Sequence, residues 1–502
     1  MQLSKQHLSQ LTCDAVATPD TTLFALPEKV LQFGTGVLLR ALPDYFIDKA
    51  NSAGVFNGRI VVVKSTDAGD ATAFEKQDSL YTLCIRGITE NNHVEENRIC
   101  SAISRVLSAK QQWADVLRCV HDPELNIIIS NTTEVGIQYV AESVFQNPPL
   151  SFPAKLLAVL YERFKKLGNT EASKMVVLPT ELLTDNGKKL SAIVAQLAHY
   201  NQLEAAFSTW LFENVFFCNT LVDCIVPGKP DSATADELEK KFGYHDALLV
   251  ISEAYRLWAI EGGDGIKAAL SFAETDNRII IVPDITKYKE LKLRLLNGTH
   301  TATCGLAYLA GINTVRDAME NKTFAAFITH LMLHEIAPAI PYPISTNEAT
   351  EFGRQVLDRF RNPHLQHRWA SITVQYSSKM AQRVVPVLLR YVELNNRVPE
   401  YFALGFAAYL LFMKGIKKEG DTFWGQSNGD FYRINDEQAA YYFDLWQSGS
   451  GDFVVHTVLQ NEKAWGVDLT RIEGFEMAVN KNMHDLKNAG VLKTVEKLIA
   501  QE

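Results

Sequence analysis

The pattern of apolar and polar positions changes character near residue 285. Before that point, short apolar runs alternate with longer segments in which apolar residues recur every three to four positions. The short runs predict buried strands of a parallel sheet, and the longer segments predict the helices that cover it. After residue 285 strand signals nearly vanish and long helical patterns dominate. The chain therefore predicts two domains, at 1–285 and 286–502.

The elements of the first domain alternate as they do in a doubly wound sheet. Its strands are predicted at 29–33, 59–64, 79–88, 126–130, 175–179 and 278–283. Its helices are predicted at 37–50, 111–119, 154–167, 190–200 and 203–213, with a polar surface excursion at 228–244. The helices of the second domain are predicted at 323–336, 349–360, 369–392, 399–413, 439–446 and 483–502. The predicted fold class is α/β, with an N-terminal Rossmann-like doubly wound sheet domain followed by a mainly α-helical C-terminal domain.

The segment at the predicted boundary carries three polar candidates, Lys292, Asn297 and His300. A lysine, an amide and an imidazole around one small volume suit metal-free carbonyl/alcohol chemistry. The lysine acts as a base if desolvation lowers its pKa, and the other two donate hydrogen bonds to the reacting oxygen. The alternative is a solvated lysine, a plain turn and a structural histidine. The spacing alone leaves both interpretations open.

The same segment is expected to bend. An Asn-Gly pair marks a turn, so the helix is predicted to stop at Asn297-Gly298 and to resume as a second, apolar helix. Thr299 or Thr301 would cap this second helix, and Asn297 and His300 would lie at a corner.

The first predicted strand leads into a glycine turn and a helix, the opening of a dinucleotide-binding unit. Leu39 replaces the third glycine of the usual GxGxxG pattern, which weakens the match. The predicted cofactor-binding residues of this turn are Phe33, Gly34, Thr35, Gly36, Val37 and Leu38.

Two further strand ends are predicted to contribute to the cofactor site. Lys64 ends the second strand and Asp67 follows it, where a ribose-binding acid is expected. This pair leaves NAD and NADP both open, and Lys64 is alternatively a solvent-facing residue. The fourth strand ends in a polar loop that is either a ligand-binding edge or a surface turn, and its predicted cofactor contacts are Ser130, Asn131 and Thr132.

Candidate substrate-binding residues lie in both halves. Glu181 follows the strand at 175–179. Lys379 and Arg383 are spaced one helical turn apart in an otherwise apolar pattern, where they either clamp an anionic group or form a solvated, salt-bridged face.

Composition restricts the function classes. A net charge of −9 argues against general nucleic-acid binding, and 47% hydrophobic with 21% charged residues is typical of a soluble protein. No apolar run is long enough to span a membrane, and the N-terminus lacks a signal-peptide core. Seven scattered cysteines without a CxxC pair indicate a reducing compartment and no zinc site. We expect a cytoplasmic enzyme, and the sequence leaves its oligomeric state open between a monomer and a small homo-oligomer.

Four separated blocks resemble the polyol-specific long-chain dehydrogenase/reductases, also called the mannitol dehydrogenase family. The blocks are QFGTGVLLRA (32–41), ISNTTEVGI (129–137), FCNTLVDCIVPG (217–228) and KLRLLNGTHTA (292–302). The resemblance covers roughly residues 29–400. In the family an arginine follows the glycines and the third glycine is absent, which accounts for Leu39.

The resemblance implies an activity and roles for the candidates. Lys292 would be the general acid/base, Asn297 and His300 would polarise the substrate oxygen, and hydride would pass between NAD and a sugar carbon without a metal. Glu181 and Leu182 stand where mannitol dehydrogenases have Asp-Asn, which suits the branch that reduces D-tagaturonate to D-altronate, a hexuronate/aldonate pair. Fructuronate and mannitol-type polyols are the alternative substrates, and a catalytically inactive nucleotide sensor is the alternative class. Cys224 replaces the family arginine, and nothing in the sequence explains that change.

Overall fold

A computed structural model describes residues 1–11, 13–65, 71–132 and 136–501. The chain forms two compact units. The first comprises 1–86 and 93–285, and the second comprises 87–92 and 286–502.

Up to Ile285, the described part of the chain contains both strands and helices. The strands are β1 (Glu28–Phe33), β2 (Arg59–Lys64), β3 (Tyr81–Thr89), β4 (Asn92–Cys100), β5 (Ile103–Ser108), β6 (Ile127–Ser130), β7 (Met175–Pro179), β8 (Val215–Phe217), β9 (Thr220–Asp223), β10 (Val250–Glu253), β11 (Leu257–Glu261) and β12 (Ile279–Val282). The helices are α1 (Val37–Ala41), α2 (Pro43–Ser52), α3 (Thr72–Lys76), α4 (Trp113–Cys119), α5 (Phe152–Leu167), α6 (Asn186–Tyr200), α7 (Ala205–Asn214), α8 (Ser232–Phe242) and α9 (Asp264–Ala269).

Within the described part of the first unit, six strands form one parallel sheet in the order β5-β2-β1-β6-β7-β8. Successive residues of each strand point to opposite faces, so Val30 enters one apolar core and Leu31 the other. Strand order reverses at β1, which pairs with β2 on one side and β6 on the other. Open α/β sheets bind ligands at the carboxyl ends of strands that flank such a switch point. The predicted Rossmann-like sheet is confirmed.

The second unit is mainly helical. Its helices are α10 (Thr286–Leu291), α11 (Thr299–Leu309), α12 (Val315–Glu320), α13 (Lys322–His330), α14 (Thr346–Phe360), α15 (Trp369–Ile372), α16 (Tyr376–Lys379), α17 (Val385–Asn395), α18 (Glu400–Phe412), α19 (Ala439–Ser448), α20 (Gly451–Leu459), α21 (Glu462–Trp465), α22 (Phe475–Ala489) and α23 (Val491–Ile499). Among its described residues, three π-helical segments are inserted, π1 (Lys292–Gly298), π2 (Leu331–Ile336) and π3 (Met380–Val384). The strands β13 (Lys417–Glu419), β14 (Thr422–Ser427) and β15 (Asp430–Ile434) form an antiparallel sheet that the hydrophobic pattern did not predict.

Three predicted helices are divided in the structure. The helix predicted at 37–50 breaks at Leu42, because the residue before a proline is disfavoured in helical conformation. The one predicted at 369–392 is interrupted at Gln375, which has a left-handed backbone. The one predicted at 483–502 breaks at Gly490 (φ +81°). The excursion predicted at 228–244 contains α8, which is capped by Asp231.

Candidate active site

The glycine turn after β1 is shaped for close approach to a ligand. Gly34 has φ +130°, which residues other than glycine rarely adopt, and its amide donates to the Val63 carbonyl (3.1 Å). A Cβ on Gly34 would stand 3.0 Å from Leu39 Cδ1 and 3.2 Å from Asn131 O. Leu39 thus fills the space beneath the turn, where the usual pattern has its third glycine.

The end of α1 beside this turn is open. Gly36 is the N-cap of α1 without a side-chain hydrogen bond, and no heavy atom lies within 4 Å of a Cβ built on it. Backbone amides at an uncapped helix start bind phosphate groups. The residues present therefore fit a dinucleotide pyrophosphate, which the backbone from Gly34 to Leu38 would hold.

The other predicted cofactor residues lie at neighbouring strand ends, except Asp67, which is outside the described residues. Lys64 ends β2, and Ser130 ends β6 next to β1. The side-chain amide of Asn131 donates to the carbonyl and hydroxyl oxygens of Thr180, both at 3.0 Å. These residues surround the turn from both sides of the switch point.

Glu181 is engaged within this edge. The residue is 3% exposed, and its carboxylate accepts hydrogen bonds from Ser130 Oγ (3.2 Å) and from the Thr132 amide (2.8 Å). Burial raises the pKa of Glu181 above its usual value, against these hydrogen bonds. The carboxylate holds Ser130 and Thr132 at the end of β6, and its predicted contact with substrate stays a prediction.

The predicted turn at Asn297-Gly298 is wrong. Gly298 and Thr299 both have right-handed helical backbones, so α10, π1 and α11 run on as one helix. The cap is also wrong, because the Thr301 hydroxyl donates to the Asn297 carbonyl (2.7 Å) within the helix. In a π-helix residue i bonds to residue i+5, so Lys292 and Asn297 lie about one turn apart on the same face. The π winding thus brings Lys292 and Asn297 onto one face of a continuous helix, without the predicted corner.

A second π segment supports π1. The Arg294 guanidinium donates to the carbonyls of Gln382 (2.6 Å) and Arg383 (3.3 Å) in π3. The Gln382 carbonyl is available because Pro386, four residues later, has no amide proton to bond it. Glu290 accepts from Arg294 at 2.9 Å. The backbone under Lys292 is thereby tied to the segment that carries Arg383.

Of the three polar candidates, Asn297 and Lys292 are half-buried and His300 is buried. The side-chain amide of Asn297 has no hydrogen-bond partner among the described residues. The Nε2 atom of His300 is buried and likewise unpaired within them. Unpaired buried polar atoms are costly unless a ligand meets them.

The surroundings of His300 were not predicted. Its ring stacks on Phe360 (centroids 4.4 Å apart, 13° between planes) and meets the edges of His367 (5.0 Å) and Trp369 (5.9 Å). These three residues come from the end of α14, the following loop and the start of α15. The one sequence signal was the histidine-rich run HLQHRW between two predicted helices.

The charge around His300 is positive. Burial, and then the charges of His367, Arg359, Arg383 and Lys379, lower the pKa of His300 well below its usual range. The ring is therefore neutral at pH 7 and offers one N–H donor and one acceptor.

Lys379 and Arg383 lie in this same positive region, and neither is salt-bridged. The Lys379 ammonium donates to the Ile372 carbonyl (3.0 Å), and the Arg383 guanidinium donates to Thr301 Oγ1 (3.4 Å). Among the described residues no carboxylate lies within 4.0 Å of either cation. Burial, and then the charge of Arg383, lower the pKa of Lys379. The predicted salt-bridged face is thus excluded for the described part of the chain, and both side chains are half-buried.

No group of three or more His, Cys, Asp or Glu side chains in the described ranges is arranged to hold a metal ion. The described residues also contain no helix that is long and apolar enough to cross a membrane.

Comparison with known proteins gives a matching family model for each of the two units. Residues 28–272 match the mannitol dehydrogenase Rossmann domain, and residues 284–487 match the mannitol dehydrogenase C-terminal domain. The altronate oxidoreductase of Halalkalibacterium halodurans is 36% identical over 95% of this chain and 94% of its own length. That of Bacillus subtilis is 34% identical over 95% and 96%.

Two solved structures share the fold. Pseudomonas fluorescens mannitol 2-dehydrogenase, in a ternary complex with NAD and D-mannitol, aligns over 100% of both chains with 25% identity and a TM-score of 0.67. A substrate-free D-sorbitol dehydrogenase aligns over 99% of this chain and 100% of its own, with 20% identity and a TM-score of 0.81.

A Rossmann-like sheet followed in the same chain by a helical unit that carries Lys292, Asn297 and His300 is typical of dehydrogenases that act on CH–OH groups. Both family models and the full-length relatives identify the family within that class. The chain belongs to the mannitol dehydrogenase family.

Proposed function

We propose that this protein is an NAD-dependent tagaturonate reductase, which interconverts D-tagaturonate and D-altronate. The observation that carries the proposal is the positive site around His300, where Lys379 and Arg383 have no carboxylate partner within the described residues. A hexuronate brings a carboxylate that such a pair binds with charge-assisted hydrogen bonds, whereas mannitol brings none. The names of the relatives, altronate oxidoreductases, support the same substrate.

In this proposal Lys292 is the general acid of the reductive direction. A bound nicotinamide supplies the hydride, and the ketone oxygen gains a proton as it becomes a hydroxyl. Lys292 donates that proton, while the Asn297 amide and the His300 Nε2–H donate hydrogen bonds to the same oxygen. The neutral state of His300 is suited to this role, because it polarises the oxygen without competing to transfer a proton.

The proposal assigns one task to each domain. Residues 1–285 bind the dinucleotide through the turn after β1, with Lys64, Asp67 and the Ser130–Thr132 loop contributing. Residues 286–502 bind the sugar acid and carry the acid/base group. The choice of NAD over NADP belongs to the proposal as well.

One assay tests the function. NADH oxidation is followed with D-tagaturonate, D-fructuronate and D-fructose in parallel, and each reaction is repeated with NADPH. The proposal expects the highest kcat/KM for tagaturonate with NADH. A higher kcat/KM for fructuronate or fructose would contradict the assignment of tagaturonate as substrate. A preference for NADPH would contradict the assignment of NAD as cofactor. NADH binding without turnover of any of the three would indicate a nucleotide sensor.

Replacing Arg383 by alanine tests the carboxylate clamp. Losing a hydrogen bond to a charged group costs about 1.5–3 kcal/mol, so KM for tagaturonate is expected to rise about 10- to 150-fold. Reduction of fructose, which has no carboxylate, is expected to change little.

The matched control is Arg390→Ala. Arg390 lies on α17 of the same unit, but it is exposed and pairs with Glu393 (2.7 Å) on the surface. Such a pair contributes under about 1 kcal/mol, so both kinetic constants should stay near wild type. An unchanged KM for tagaturonate in Arg383→Ala would remove Arg383 from the substrate site.

A further inference from the structure

A buried polar cluster lies directly behind the glycine turn of the first unit. Gln32, Asp44 and Arg40 are at most 4% exposed. The Gln32 side-chain amide donates to Asp44 Oδ2 (3.3 Å) and to the Gly34 carbonyl (3.4 Å). Gln32 therefore connects the carboxyl of Asp44 to the backbone of the turn that fits the pyrophosphate.

Two oxygen atoms of this cluster lack hydrogen-bond partners, and one proton shared between them would satisfy both. Asp44 Oδ1 and Gln32 Oε1 are both buried without a hydrogen-bond partner among the described residues. An ionised carboxylate only accepts hydrogen bonds, so it cannot satisfy the Gln32 oxygen. A protonated carboxyl has one O–H to donate. If Asp44 Oδ1 carries the proton, this O–H donates to Gln32 Oε1, and both unpaired oxygens gain a hydrogen bond.

The charges that face Asp44 do not neutralise an ionised form. Within the described residues no cation lies within the 4.0 Å ion-pair distance of its carboxyl. Arg40 attracts it from farther away, and its guanidinium donates instead to the Leu248 carbonyl. Asp48, one turn along α2, repels it. Tyr81 on β3 and Cys100 on β4, two further titratable groups that interact with it, are neutral at pH 7 and do not stabilise an anion.

We propose that Asp44 is a protonated, neutral carboxylic acid in the folded protein, where it forms a two-hydrogen-bond pair with Gln32 that positions the Gly34 turn for the cofactor. Asp44 is a positioning residue in this role, because it touches the turn only through Gln32. The first turn of α2 favours the ionised form, but that effect is smaller than the cost of burying a charge without a counter-ion.

The titration of Asp44 agrees with this geometry. Burial raises the pKa of its carboxyl from 3.8 to about 8, against the Gln32 hydrogen bond and the attraction of Arg40. The folded protein thus keeps a proton that the unfolded chain releases near pH 4. The stabilisation is complete below about pH 4, declines as the pH rises, and is lost once the pH has passed about 8.

The decisive variant is Asp44→Asn. Asparagine has nearly the same shape, and its amide can donate to Gln32 Oε1 and accept from Gln32 Nε2, so it imitates the protonated acid at every pH. Asp44→Leu removes both hydrogen bonds and keeps the site apolar. Dissociation constants for NADH are measured for all three proteins by fluorescence, without substrate, between about pH 6 and 9.5.

The wild type is expected to bind NADH about fivefold or more weakly at pH 9.5 than at pH 7, since the ionised acid no longer holds the turn. Asp44→Asn should match the wild type at pH 7 within about threefold and should show less than half of that pH dependence. Asp44→Leu, if folded, should bind weakly at all pH values. Equal pH profiles for the wild type and Asp44→Asn would overturn the proposal, as would weak binding by Asp44→Asn at pH 7.

Thermal unfolding without cofactor provides an independent test. Between about pH 5 and 9 the Tm of the wild type should fall relative to that of Asp44→Asn, because only the wild type loses a proton from the buried site. Parallel curves would show that Asp44 is ionised throughout and would overturn the proposal. The inference uses the proposed nicotinamide cofactor, but neither readout requires tagaturonate turnover. Failure of the substrate assay would therefore leave this test intact.

Discussion

Lys292→Ala is expected to lower kcat for tagaturonate about 10²- to 10⁴-fold, the range for loss of a general acid. Lys292 begins π1 on the face that also carries Asn297, and no other lysine shares that segment. NADH binding should be unchanged, because the nucleotide turn belongs to the other unit. Single-turnover kinetics with NADH and tagaturonate, combined with fluorescence titration of NADH, measure both quantities.

The matched control for this variant is Lys287→Ala. Lys287 lies on α10, less than two turns before Lys292, and forms a surface ion pair with Glu348 (3.0 Å). Its loss should cost less than about 1 kcal/mol of stability and leave kcat near wild type. If Lys292→Ala folds, binds NADH and turns over at a near-normal rate, then Lys292 is not the acid.

Gly405→Ala is expected to destabilise the second unit and to impair catalysis together. A Cβ on Gly405 of α18 would stand 2.6 Å from the backbone oxygen of Ala302 on α11. Because the obstacle is backbone, one helix must move, and α11 carries His300. Overpacking costs about 1–3 kcal/mol, which outweighs the gain of up to about 1 kcal/mol from replacing a helical glycine.

The expected result is a fall in Tm of a few degrees, at about 2–4 °C per kcal/mol for a unit of this size. A displacement of His300 by about 1 Å is expected to lower kcat by up to about 100-fold. Differential scanning calorimetry and steady-state kinetics measure these effects. Gly265→Ala is the control, because Gly265 lies in α9 with no heavy atom within 4 Å of its Cβ position. That variant should be neutral or more stable. A Gly405→Ala protein with wild-type Tm and kcat would show that α11 and α18 do not constrain the site.

The resemblance to the mannitol dehydrogenase family and the doubly wound sheet could both be recognised from short patterns. The strands at β1, β2 and β7 were predicted within one residue, because fully buried parallel strands are nearly continuous apolar runs. The glycine turn was recognised because the positive φ of Gly34 favours glycine, and because Gly34 and Gly36 follow a strand and precede a helix in a fixed order. The strands and the glycine turn depend on residues that are close together in the chain, so they can be predicted from short stretches of sequence.

The helical unit was predicted less well. The Asn297-Gly298 pair has the composition of a turn, yet packing against π3 and the hydrogen bonds from Arg294 hold it in a continuous helix. Tertiary contacts override a turn preference when they bury and satisfy the backbone. The three-stranded sheet of β13, β14 and β15 was missed because its strands are short and partly exposed, which weakens the alternation of apolar and polar positions.

By itself, the sequence determined the order of the elements, the family, and the identity and spacing of the candidate residues Lys292, Asn297 and His300. These follow from patterns between residues near one another in the chain. Only the tertiary structure decided that Lys292 and Asn297 share a face through a π turn, and that Phe360, His367 and Trp369 enclose His300. It also decided that Asp44 is buried beside Gln32 without a counter-ion. Burial, unpaired polar atoms and shifted pKa values depend on which distant segments pack together, and no local pattern carries that information.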